Sequence, residues 1–317
     1  VSLVPLVDSK GVLTFALNNR FAVGAFNAYN LEMAQAIVEA AEEEKAPVIV
    51  QISQGALEYA PEHCYAGLVR TLAEMVSVPV VCHLDHGVSF EVVVRCLRAG
   101  FTSLMFDGSA LPVKENIRLT KELVRIAHAA GIPLEGEIGK IPDAAKGPIS
   151  PEEMQQFMTT PEEALEFVEE TEVDALAVAV GSAHRMRVQT ATLDIERIAR
   201  IREKVMVPLV LHGASGVRDS SLKEAIQAGI AKINFATELN KAYTSALREK
   251  LAQDPDVVDV RKYGVLARER VKAVVKEKIR LLGASGRAKE VLEFINTLHG
   301  PKGERKSLED EKGATVE

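Results

Sequence analysis

Three short segments of this chain end in a histidine where an apolar run stops: PVVCHLDHG (79–87), DALAVAVGSAHR (174–185) and VPLVLHGASG (207–216). An apolar run closed by His86, His184 or His212 describes a buried strand that delivers an imidazole to its C-terminal end. In a parallel barrel all such ends lie on one rim. Three neutral imidazoles meeting there suit a catalytic Zn²⁺, which takes three protein ligands and keeps its fourth position open. Asp85 lies directly beside His86, so an acid/base group accompanies the metal. His63, His128 and His299 lack this strand-end context, and His83, deeper in the same strand, reads as a structural or supporting residue. The spacings, 98 residues from His86 to His184 and 28 from His184 to His212, match no short metal motif and instead suit separate strands of one barrel.

Two more carboxylates reach the same rim, Asp107 in MFDGS and Glu137 in EGEIG. Each could orient a ligating imidazole, hold a displaced metal, or pair with a nearby cation. A second group of residues suits phosphate. HGASG (212–216) follows the seventh strand and NFAT (234–237) opens a helix after the eighth. Loops after strands seven and eight form the recurrent phosphate site of (β/α)₈ barrels. Free N–H groups at a helix start favour an anion there, and small residues let the backbone approach it.

Alternating strand-like and helix-like stretches must position these groups. Apolar runs at 20–30, 47–53, 79–84, 102–108, 133–139, 174–180, 207–213 and 232–237 read as eight strands. Amphipathic stretches at 31–45, 61–77, 90–100, 113–131 and 194–205 read as helices between them, and another begins near Thr237. An irregular stretch, 140–153, leads into helical material through 172. Strands apolar on both faces, alternating with helices, predict an α/β fold, a (β/α)₈ TIM barrel with extra C-terminal helices. A doubly wound sheet would carry a glycine fingerprint after its first strand, and that strand ends here in AFNAYN. Residues 1–300 then form one unit of barrel plus helices. Residues 301–317, rich in charge and poor in large apolar groups, are expected to be a disordered tail.

Composition narrows the function class. The chain has 317 residues, 47% of them hydrophobic, and a net charge of −7 with no Trp. No basic cluster with interleaved aromatics appears, which argues against a nucleic-acid partner. No apolar run reaches the ~18–20 residues of a membrane span, and no leader pattern opens the chain. Cys64, Cys82 and Cys96 form no framework or CxxC and suit a reducing cytoplasm.

HLDHG, FDGSALPVKEN, EGEIG, VGSAH, LHGASG and INFAT, in this order, closely resemble the class II, zinc-dependent ketose-bisphosphate aldolases. That family includes the fructose-1,6- and tagatose-1,6-bisphosphate enzymes. The likeness runs from about residue 12 to about residue 287 and takes in VGAFNAYN, VQISQGA and GASGRA. It implies Zn²⁺ held by His86, His184 and His212, with Asp107 and Glu137 as alternative metal carboxylates, and it leaves room for a monovalent cation. It implies proton transfer by Asp85 and contacts to dihydroxyacetone phosphate from Gly213, Ser215, Asn234, Ala236 and Thr237, with Asn27 and Ser53 as further substrate contacts. RKYGVLAR resembles the segment that sends an arginine, here Arg268, to the distal phosphate of a neighbouring subunit, which implies a homodimer or homotetramer. The reaction implied is reversible aldol cleavage of a ketose 1,6-bisphosphate, fructose ahead of tagatose, in glycolytic carbohydrate metabolism.

Two departures accompany the likeness. The family usually follows the fifth strand with a GGxED loop whose glutamate exchanges a proton with substrate. GKIPDAAKGPIS stands here instead, and Asp143 is its only carboxylate and the candidate substitute. The family tends to have glycine after the second zinc histidine, where this chain has Arg185, followed by Arg187. Two other readings stay open beside the leading one. One is an aldolase for another phosphorylated ketose or keto-acid that uses Arg185 or Arg187; the other is a metal- and phosphate-binding barrel with little catalysis.

Overall fold

Eight of the apolar runs become strands: β1 (Val23–Asn27), β2 (Val48–Ser53), β3 (Val80–Asp85), β4 (Leu104–Phe106), β5 (Leu134–Ile138), β6 (Ala175–Val178), β7 (Leu209–Leu211) and β8 (Ile230–Phe235). The structure is a computed structural model and describes residues 6–147, 149–186 and 188–298. All pairings are parallel, in the order β3-β2-β1-β8-β7-β6-β5-β4. Bridges between His83 and Ser103 and between Gly87 and Phe106 join β3 to β4. The Asp107 N–H donates to the Gly87 carbonyl at 2.9 Å across that seam, so the sheet closes on itself as a barrel. Every strand residue except Ser53 is buried. Helices cover the outside and side chains fill the inside, which is why the strands read as continuous apolar runs.

Local sequence sets where the helices begin and end. Asn30 caps Leu31–Glu44 by accepting from the Met33 N–H, and Ser89 caps Phe90–Ala99, which Gly100 stops at φ 95°. Thr160 and Glu163 form a reciprocal capping box at the start of Pro161–Thr171. The irregular stretch holds a 3₁₀ turn at Ala144–Lys146 and a short helix at Pro151–Phe157.

Several elements differ from expectation. A helix at Ser9–Asn18 packs across the chain on the C-terminal helix Ala288–Leu298, and a Cβ at Gly11 would lie 2.9 Å from the Ile295 side chain. Another, Asp219–Ala228, fills the crossover between β7 and β8. β8 begins at Ile230, so Lys232 lies inside the strand, fully buried, rather than opening it. Arg187 and the expected tail 301–317 lie outside the described residues.

The helices Thr237–Gln253 and Val260–Leu281 pack together beyond β8, and the second also runs along Leu31–Glu44. Arg268 approaches Glu39 at 3.6 Å, Lys272 meets Glu43 at 3.2 Å, and Arg280 meets Glu44 at 2.6 Å. Val271, Val275 and Ile279 are buried in this packing, whereas Val265 and Leu266 stay 48% and 45% exposed.

Candidate active site

His86 and His212 immediately follow the last residues of β3 and β7, and both strand ends need glycine next. A Cβ at Gly87 would lie 2.7 Å from the Met105 carbonyl oxygen, and one at Gly213 would lie 2.8 Å from the Ala183 backbone. Gly213 also holds φ 67°, a region that disfavours side chains. His86 itself sits at φ 53°, a left-handed conformation uncommon for a residue with a Cβ and typical of constrained sites. His184 lies beyond β6 and is tied by its backbone to the 140s loop: its N–H donates to the Pro142 carbonyl at 2.8 Å, and its carbonyl accepts from the Ala144 N–H at 3.0 Å.

The three rings converge. Their centroids are 4.6 Å apart for His86–His212, 5.0 Å for His86–His184 and 6.2 Å for His184–His212. One nitrogen from each lies within 4.8 Å of the others. A second possible metal group, His86 with Asp107 and Glu137, shares the same imidazole. Asp107 lies 2.7 Å from His86 Nδ1, so that nitrogen is turned to the carboxylate and Nε2 faces His212.

The charge pattern calls for a cation at this point. Burial opposes a charge on His86, but Asp85, Asp107 and Glu137 outweigh it and push its pKa up to about 10. Burial, then the neighbouring charge on His86, pulls His184 down to about 4, and the same two causes hold His212 well below its usual value. Burial and the negative charge of Asp107 lift Glu137 to about 8. Its Oε2 is buried with no hydrogen-bond partner, 3.7 Å from His86 Nδ1 and 3.9 Å from His212 Nδ1. Two neutral imidazoles, a third whose charge answers the carboxylates around it, and an unpartnered buried oxygen at one point fit a divalent cation.

Beneath the histidines runs a buried polar chain that strand patterning did not reveal. His212 Nε2 donates to Glu135 Oε1 at 2.8 Å, which leaves Nδ1 for the cluster. Lys232 Nζ donates to Glu135 Oε2 at 2.8 Å and lies 3.1 Å from His83 Nε2, and His83 Nδ1 meets Ser103 Oγ at 2.7 Å. A carboxylate behind a ligating imidazole fixes its tautomer and ring orientation. Both Glu135 and Lys232 stand in the sequence as polar interruptions of apolar strands, and that interruption is the signal that could have marked them.

Asp85 faces the same space. It accepts from Asn27 Nδ2 at 2.8 Å and from Asn234 Nδ2 at 3.3 Å, and Gln51 Nε2 in turn donates to Asn27 Oδ1 at 2.7 Å. Burial works against its charge, yet His86 and these neighbours hold its pKa below the ordinary value, so it stays ionised. A pocket of about 120 Å³ collects Asn27, Ser53, Asp85, His86, His184, Arg185, His212, Gly213, Ser215, Asn234, Ala236 and Thr237. Tyr29 and Gln51 join them unforeseen.

Asp107 and Glu137 stand beside the pocket with His86, and two expected residues join neither group. Asp143 is turned away from the pocket into a bidentate ion pair with Arg185, Nε to Oδ1 at 2.8 Å and Nη2 to Oδ2. It also caps the 3₁₀ turn through the Ala145 N–H. Arg268 lies on the outer helix against Gln35 and Glu39 and does not line its own chain's pocket. The other arginine of RKYGVLAR, Arg261, has its side chain 85% exposed and pairs bidentately with Asp259.

Fold and site together define a (β/α)₈ barrel whose C-terminal rim carries a three-histidine cluster, an ionised aspartate and the glycine- and serine-bearing loops that follow β7 and β8. A family model described as fructose-bisphosphate aldolase class-II matches residues 7–287. The chain is 42% identical to the fructose-bisphosphate aldolase of Thermus caldophilus over 306 residues, covering 89% of this chain and 100% of that protein. The fructose-bisphosphate aldolase of Geobacillus stearothermophilus is likewise 42% identical, with 89% and 99% covered. Among solved structures, the YdjI aldolase from Escherichia coli K12 superposes with a TM-score of 0.77 at 38% identity, over 89% of this chain and 99% of that one. The chain belongs to the class II fructose-bisphosphate aldolase family.

Proposed function

We propose that this protein cleaves fructose 1,6-bisphosphate reversibly to dihydroxyacetone phosphate and glyceraldehyde 3-phosphate. The observation that carries the reading is Asp85, ionised and held by two asparagines beside the three-histidine cluster. His86, His184 and His212 would hold Zn²⁺, which when bound supplies Lewis-acid stabilisation of the negative charge that cleavage puts on the carbonyl oxygen. Gly213, Ser215, Asn234, Ala236 and Thr237 would seat the donor phosphate, with Thr237 at the start of a 17-residue helix whose free N–H groups favour an anion. That anchoring fixes the ketone in place and removes orientational freedom from the reaction. Asp85 then takes the proton of the C4 hydroxyl as the bond breaks and returns it on condensation. Asn27 and Asn234 hold its carboxylate in line for both transfers.

A second reading, an aldolase for another phosphorylated ketose or keto-acid, draws on Arg185, which enters the pocket where the family tends to have glycine. Three free cysteines suit a reducing, cytoplasmic setting, and no helix among the described residues is long and apolar enough to cross a membrane. A coupled assay against fructose and tagatose bisphosphates separates the readings. Turnover of the fructose substrate, abolished by a chelator and untouched by borohydride trapping of an imine, is the expected result. Turnover that survives the chelator would overturn it.

A further inference from the structure

We infer that Arg185 is a phosphate clamp of this pocket and that Asp143 is its built-in competitor, so that donor phosphate binds by taking the guanidinium from the carboxylate. The inference rests on the donor-phosphate reading of the pocket. Arg185 follows the histidine His184 and holds φ 59°, a backbone setting that side chains rarely adopt. That setting sits beside the phosphate loop, because the Gly213 Cα faces the Ala183 and His184 backbone closely enough that a Cβ would lie 2.8 Å and 3.2 Å from their atoms. Arg185 lines the 120 Å³ pocket together with Gly213, Ser215 and Thr237. It also lines a cavity of about 1070 Å³ that continues outward along Asn240, Lys241 and Arg248 of the helix beginning at Thr237. Two cavities of about 290 and 470 Å³ lined by the 140s loop share no residue with the 120 Å³ pocket.

The pair is built for exchange. Arg185 is 64% exposed, and its bidentate partner Asp143 is held to His184 by a backbone bridge that does not depend on the side chains. The guanidinium can therefore leave the carboxylate without undoing that backbone bridge. A planar fork that fits a carboxylate fits a phosphate equally well, and a phosphate dianion carries more charge. The Arg185 side chain is exposed while that of Asp143 is mostly covered, so the guanidinium is the partner free to move toward an arriving anion. Lys241 and Arg248 add positive charge to the approach, which raises the local concentration of an anionic ligand.

The proposal makes opposite predictions for the two partners. Dihydroxyacetone phosphate binding, measured by calorimetry on the zinc-loaded protein, should weaken by about 10–100-fold in Arg185→Gly, the size of losing a charge-assisted hydrogen-bond pair. Glycine suits φ 59° there, so the fold should hold. Asp143→Asn should tighten binding severalfold, because the competitor loses its charge while the amide oxygen can still cap the turn. The double variant should bind like Arg185→Gly alone. If Asp143→Asn weakens binding or leaves it unchanged, Asp143 is only a structural cap and the proposal falls. If Arg185→Gly binds as tightly as the parent, the guanidinium does not meet the phosphate. Because the readout is binding, the pattern can hold in a protein that fails to cleave the bisphosphate, which would reject the proposed function and leave the clamp standing.

Discussion

Asp85 keeps its charge in a buried place because two amides and the His86 ring stabilise it against the cost of burial. In the proposed reaction that ionised carboxylate is the base for the substrate hydroxyl, and its removal should be felt in turnover alone. Asp85→Ala is expected to retain metal, measured by elemental analysis, and to lose about 10²–10⁴ in cleavage rate. Wild-type turnover in that variant would reduce Asp85 to a support for His86. His86 predicts a pH effect of known sign. The carboxylates around it lift its pKa to about 10, so in neutral solution the metal-free protein holds a proton there. A ligating imidazole must be neutral, so metal and proton compete. Zinc affinity should therefore rise as pH climbs toward about 10, and zinc addition in a weak buffer should release protons. Constant affinity across neutral pH would remove His86 from the ligand set.

Among the elements, β8 and β5 carry the charge pair that supports the site from below. Lys232 is in register with Val23 of β1 and Val210 of β7, and its side chain reaches Glu135 inside the barrel. Removing one partner of a buried pair leaves the other charge uncompensated. Lys232→Met should cost about 3–5 kcal/mol in a denaturant titration. Adding Glu135→Gln should recover part of that loss, because glutamine is uncharged and its oxygen can still accept from His212. A single variant as stable as the parent would mean that water or another group already serves Glu135. The strand pattern also explains why this pair escaped the sequence: EGEIG and KINFAT each show a charge in an apolar run, but only closure of the barrel brings the two together.

At the scale of the whole molecule, the outer helix pair carries exposed apolar side chains. Val265 and Leu266 stay half exposed, and Val258 and Val260 are 91% and 61% exposed close by in the chain. We propose that a second copy covers them and that the segment with Arg261 and Arg268 reaches its neighbour's distal phosphate. Light scattering should then report more than one chain per particle, and Leu266→Glu should lower that number. In the assembled form Arg268→Ala or Arg261→Ala should weaken a bisphosphate more than dihydroxyacetone phosphate. A monomer with full bisphosphate activity would leave the distal phosphate to groups of its own chain.

The barrel and its three histidines were legible from the chain alone, because a strand buried on both faces must be apolar and a polar side chain at its end must lie on the rim. That Asp85 and the loops after β7 and β8 share one rim pocket was legible for the same local reason. What lay out of reach depends on contacts between distant segments. The Ser9–Asn18 helix becomes part of the barrel unit by packing on Ala288–Leu298, and Glu135 becomes a support for His212 by facing it across the interior. Asp143, the one carboxylate of its loop, looked like a catalytic substitute, yet a left-handed arginine 42 residues on claims its side chain. Periodicity and composition report which groups are buried and at which end of a strand they stand. Partner choice between side chains far apart in sequence is decided only when the chain closes and charge, distance and solvent exclusion act together.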